Sequence, residues 1–125
     1  MKKTTIIFWA STSLLALMMV FSAYSYLANP DMKAAFVHLG FPDYFRIELA
    51  VVKVLGAIAL VLPMVPKTIK EMTYFGFAIT FISASIAHFA TGDPQAIVIM
   101  PLVFLGLLAV SYFTRKSQPQ LVPSV

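Results

Sequence analysis

Apolar residues in this chain come in long unbroken runs, separated by short clusters of polar, glycine and proline residues. The first run, Ile6 to Leu27, contains no charge and follows Lys2 and Lys3. At a rise of 1.5 Å per residue it is long enough to cross the ~30 Å hydrocarbon layer of a bilayer. A basic start, an apolar core and the small residues around Ser22-Ala23-Tyr24-Ser25 also fit a cleavable signal peptide. The length of the run and the apolar segments that follow it favour retention as a first span.

The pattern breaks between Asn29 and Phe45. Asn29-Pro30-Asp31 reads as a turn and helix start, and Gly40-Phe41-Pro42-Asp43 as a second break. Between them, Met32, Phe36, Val37 and Leu39 share a short segment with Lys33 and His38. Such a piece is expected to lie in the membrane interface. Further spans are predicted at about 47–64, 72–90 and 96–113, with Pro101 expected to kink the last. Pro66 to Glu71 reads as a tight polar loop and Thr91-Gly92-Asp93-Pro94 as a turn. Residues 117–125, with Pro119 and Pro123, read as a disordered tail. The predicted fold is thus an all-α membrane protein. It is one four-transmembrane-helix bundle over residues 1–116, with a short interfacial helix between the first and second spans. A transmembrane barrel would instead show alternating segments of about ten residues.

Composition agrees with this pattern. The chain is 60% hydrophobic and 11% charged, with a mean hydropathy of +0.88, against about 25% charged residues in soluble domains. These figures exclude a disordered chain and a nucleic-acid module. The absence of Cys excludes disulfides, thiolate metal sites and cysteine nucleophiles. Basic residues are distributed unevenly about the predicted spans. Lys2, Lys3, Lys67, Lys70, Arg115 and Lys116 fall on one side, Lys33 and Arg46 on the other, and Lys53 within the second span. The positive-inside rule then predicts a multi-pass membrane protein with both termini in the cytoplasm. The net charge of +4 reflects this topology and implies no nucleic-acid partner.

With that orientation the other polar groups gather toward the outer leaflet. Arg46, Glu48 and Lys53 lie in the first half of the second span, Ser83, Ser85 and His88 near the end of the third, and Asp31, Asp43 and Asp93 in outer loops. Arg46, Ala50, Lys53 and Ala57 form one stripe at helical spacing, as do Gly76, Thr80, Ala84 and His88. Small residues mark close helix contact in membranes, so both stripes are expected to face the bundle. Glu48 lies about 140° around the helix from Lys53 at 100° per residue, so it needs a partner elsewhere, with His88 or an outer-loop group as candidates.

Arg46, Glu48, Lys53, Ser85, His88 and Asp93 are therefore candidates for lining an outer-half polar pocket, since ionisable residues within the membrane mark sites by default. The structural alternative has Arg46 and Glu48 anchoring at the headgroups, Lys53 snorkelling and His88 acting as interhelical glue. Both readings stand open for Lys53 and His88. Arg46 and Glu48 lean toward anchors, and Asp93 toward a turn former and cap. His38 has no carboxylate at helical ligand spacing, and no metal site is expected. Tyr24, Tyr26, Phe41, Tyr44 and Phe45 form an aromatic belt or frame an entrance for a quinone or lipid.

The order and spacing of several short motifs resemble the DoxX-like family of small bacterial membrane proteins. These are Asn29-Pro30, Gly40-Phe41-Pro42, Lys53-Val54-Leu55-Gly56, Leu62-Pro63, Lys70-Glu71, Tyr74-Phe75-Gly76-Phe77, Ala84 to His88 and Gly92-Asp93-Pro94. The resemblance covers about residues 26–112. It implies a four-helix bundle and a link to membrane redox complexes and quinone oxidation, and the missing Cys sets any thiol chemistry of relatives apart from this chain. The function expected first is a redox-linked membrane subunit that holds a quinone-like or other small amphipathic molecule, assisted by a membrane oxidoreductase partner or by homo-oligomerisation. A small-solute transporter or exporter and a non-catalytic scaffold are the alternatives. Four-helix multidrug exporters rely on an acidic residue in the first span, and Ile6 to Leu27 has none.

Overall fold

A computed structural model describes residues 2–116 and shows five helices and no strand among them. They are α1 (Lys3–Ala28), α2 (Pro30–Leu39), α3 (Asp43–Val61), α4 (Lys67–Ala90) and α5 (Gln95–Lys116). The expected tail, 117–125, lies outside the described residues. Helix α1 packs on α3 and α5, and α4 packs on α5, while α3 and α4 meet more loosely. Neighbours run antiparallel. Tyr26 near the end of α1 meets Arg46 near the start of α3, and Glu71 near the start of α4 meets Arg115 near the end of α5.

The core is a column of Leu15, Met19, Ala57, Leu60, Phe77, Phe81 and Leu108. Outside it, large apolar side chains face away from the protein: Leu17 and Phe21 are each 70% exposed and Phe89 76% exposed. Faces of this kind cannot be kept in water, and lipid is the solvent that suits them.

Helix α2 begins at the expected turn, with Asn29 Oδ1 accepting from the Asp31 amide at 2.9 Å. It ends at Gly40, whose φ of +86° is the left-handed conformation that closes a helix without strain for glycine. Helix α5 continues on both sides of Pro101.

Some expected boundaries move. Helix α3 starts at Asp43 and stops at Val61, ahead of Pro63, which has no amide to continue the ladder. Helix α4 begins at Lys67, so Lys67 to Glu71 is helical and not a polar loop. By length and composition α1, α4 and α5 are able to cross a membrane. Helix α3 has 19 residues but carries Asp43, Arg46, Glu48 and Lys53, too many charges to be counted with them.

Candidate functional site

The loose seam between α3 and α4 leaves a cavity of about 360 Å³ at the end of the bundle that α2 covers, within the ~300–1,000 Å³ range of small-molecule sites. Helix α2 contributes Phe36 and Leu39, α3 contributes Phe45 and Leu49, and α4 contributes Ala84 and His88. The aromatic residues form a continuous wall: Tyr26 meets Phe36 at 4.9 Å between centroids, Phe36 meets Phe41 at 6.0 Å, and Phe41 meets Phe45 at 5.0 Å. Of the five aromatic residues expected in a belt or an entrance, Tyr26, Phe41 and Phe45 line the cavity, while Tyr24 and Tyr44 are exposed on the outside of the bundle.

His88 contributes an imidazole to that wall. The helix ends two residues later, and Gly92, at φ +76°, turns the chain so that Asp93 folds back beneath it. The Asp93 carboxylate then bridges two imidazoles, with Oδ2 2.6 Å from His88 Nδ1 and Oδ1 2.8 Å from His38 Nε2. Hydrogen bonds from His88 and then His38 hold the Asp93 carboxyl below its usual range. Engaging Nδ1 fixes the His88 ring and leaves Nε2 without a hydrogen-bond partner among the described residues. His38 has no carboxylate at helical ligand spacing, and the partner it finds lies 55 residues away, where no helical spacing reveals it. Among the described residues no cluster suited to a metal ion is present.

The other candidates sit elsewhere. Arg46, Ala50, Lys53 and Ala57 are all buried along the α1 side of α3, as their spacing predicts. Lys53 donates from Nζ to Ser22 Oγ and Tyr26 Oη, each at 2.8 Å, and lies 4.1 Å from the Tyr26 ring centroid. Tyr26 also lines the cavity, so Lys53 stands one residue behind its wall. Arg46 donates to the Tyr26 carbonyl oxygen and to Asp43 Oδ1, latching the end of α1 to the start of α3. Ser85 donates to the Val98 carbonyl at 2.6 Å and ties α4 to α5. Glu48 is exposed on α3 and has no polar partner among the described residues. The Gly76-Thr80-Ala84-His88 stripe lines the α3–α4 seam, while the buried face of α4 is Lys70, Tyr74, Phe77, Phe81 and Ser85.

At the opposite end lies a polar cluster the sequence did not announce. Arg115, 1% exposed, donates to Glu71 Oε1 at 2.8 Å. Tyr112 donates to Glu71 Oε2, and Tyr74, Ser111 and Thr12 form a chain of hydroxyls with contacts of 2.7 and 2.5 Å. Lys70 and Arg115, expected among the charges of the cytoplasmic face, are buried here. A continuous α4 that brings Glu71 opposite Arg115 is the feature that marks the cluster, and it depends on long-range packing.

Five helices with lipid-facing apolar surfaces and one covered cavity define a small multi-pass helical membrane protein. Residues 10–111 match the DoxX-like family, and the chain belongs to it. No curated protein and no solved structure matches it.

Proposed function

We propose that the protein is a redox-linked membrane subunit that binds a quinone-like molecule in the cavity between α2, α3 and α4. The supporting observation is an aromatic, mostly apolar chamber whose wall offers His88 with Nδ1 tied to Asp93 and Nε2 left open. A flat ring with carbonyl oxygens suits this wall, since aromatic side chains stack on its faces and Nε2 bonds at its edge. A bound quinone supplies two-electron acceptance, with the electrons coming from a membrane oxidoreductase partner. The protein's own part is to orient the ring, exclude water and carry a proton at His88 Nε2. Lys53 and Arg46 act through Tyr26, setting the end of α1 that forms part of the wall. The redox link rests on the family.

In this reading α3 is a fourth span. At 1.5 Å per residue it is about 28 Å long, its charges crowd its first three turns, and Arg46 and Lys53 turn inward. Both termini then lie in the cytoplasm of a bacterial inner membrane, with Lys2, Lys3 and Lys67 at the inner end.

The test is native mass spectrometry of the protein extracted from its own membrane, with analysis of co-purifying lipids. A quinone retained by the wild type and lost from His88→Ala supports the proposal. A folded wild type carrying no small molecule, and unable to take up added short-tailed ubiquinone, overturns it.

A further inference from the structure

The α3–α4 seam is tight where Gly56 packs against Phe77 and stays open to one side of that contact below the cavity. A second hollow of about 390 Å³ continues it toward the inner end, lined by Leu55, Gly56 and Ala59 of α3 and Met72, Thr73 and Gly76 of α4. Thr80 lines both spaces. From Phe45 to Ala59 the combined groove follows α3 for roughly 20 Å at 1.5 Å per residue.

The lower hollow is apolar for identifiable reasons. Thr73 and Thr80 turn their hydroxyls back onto their own helix, to the Ile69 and Gly76 carbonyls, each at 2.8 Å. Their methyl groups are what remains for the groove. Gly76 contributes no side chain, and a Cβ built there meets nothing within 4 Å. Seen whole, the seam is therefore asymmetric, with a hydrogen-bonding nitrogen and aromatic rings at one end and an unbroken apolar trough beyond. A compact polar molecule uses the first part and leaves the second without a purpose.

We infer that the lower α3–α4 trough is a tail-binding subsite, and that the ligand carries a long apolar chain which runs from the His88 cavity past Thr80 to Met72. The inference rests on the headgroup reading above and adds the chemical class of the whole ligand: one hydrogen-bonding ring and one extended isoprenoid or alkyl tail. The groove lies at a loosely packed seam between two helices, so the tail has a lateral way in from the bilayer.

Tail affinity alone is a poor readout, because lipid is as apolar as the trough. Position is a better one. The probe is a ubiquinone analogue with a photoreactive diazirine at the end of a ten-carbon tail, added to the full chain in phospholipid vesicles, irradiated and mapped by peptide mass spectrometry. Adducts concentrated at Leu55, Ala59 and Met72, and suppressed at least tenfold by excess untagged ubiquinone, are expected. Gly76→Leu fills the trough and should move the adducts out of it while leaving uptake of short-tailed ubiquinone unchanged. Thr73→Phe blocks the same space from another turn and should act alike. Adducts spread over lipid-facing Leu17 and Phe21 despite headgroup binding that depends on His88 would overturn the tail subsite alone. Adducts insensitive both to competitor and to His88→Ala would overturn the headgroup reading and the subsite with it.

Discussion

Lys70 completes the end of α3 for Leu60. Its ammonium donates to the Leu60 carbonyl at 3.2 Å and to the neighbouring Ala59 carbonyl at 2.8 Å. Both oxygens belong to the last turn of α3, where carbonyls lack intrahelical donors. In a continuing helix the residue four places after Ala59 would supply the amide, but that residue is Pro63. Lys70 replaces the missing donor from the first turn of α4 and so joins the two helices across the Leu62-to-Pro66 link.

Lys70→Met is therefore expected to destabilise the bundle by about 1–3 kcal/mol, the range for leaving buried acceptors unpaired. Exposed Lys67, three residues earlier, should tolerate Ala with no loss. Thermal unfolding in detergent compares the two, and equal melting temperatures would refute the capping role.

Helix existence was legible in the hydrophobic runs, and so was the buried Arg46-Ala50-Lys53-Ala57 stripe, because spacing alone decides which residues share a helix face. The start of α4 was not. Lys67, Lys70 and Glu71 look like a polar loop because the acceptors and the cation that satisfy two of them, Ala59, Leu60 and Arg115, come from other helices. The site was legible in part for the same reason. His88 could be placed by its position in a span, whereas the carboxylate shared with His38 depends on the Gly92 turn and on how α2 folds over the bundle.

The Gly56–Phe77 contact gives a packing test. A Cβ on Gly56 would stand 2.4 Å from Phe77 Cζ, and Phe77 is itself buried at 3% exposure. Gly56→Ala should cost about 1–3 kcal/mol by overpacking, despite alanine's better helix propensity. Adding Phe77→Leu should recover part of the loss, measured as melting temperature. A Gly56→Ala protein as stable as the wild type would show that the seam opens freely.

Acid should loosen the cover of the cavity through Asp93. His88, then His38, lower its folded-state pKa, so its contribution is fully present above the unfolded carboxyl value of about 3.9 and fades as pH falls through the lower folded value. Protection of the α2 amides, taken as the exchange rate relative to the intrinsic rate at each pH, should accordingly be high at neutral pH and fall in that acid window. Asp93→Asn should show fast exchange at neutral pH and lose the acid step, and an unchanged step in the variant would assign it to another group.

Lys53 separates a wall-positioning role from direct ligand contact. Its ammonium has two hydroxyl partners, Ser22 and Tyr26, and among the described residues no carboxylate within ion-pair distance. Met matches its length and tolerates the apolar surroundings, so Lys53→Met should insert and fold, with Tyr26 released from its tether. Short-tailed ubiquinone should then bind more weakly, but by less than the loss in His88→Ala. Tyr26→Phe removes the tethered hydroxyl from the other side, and combining it with Lys53→Met should add little, since both changes break one contact. A double variant whose losses add in full would mean that Lys53 reaches the ligand itself, and the headgroup would then lie closer to α1 than the His88 geometry places it.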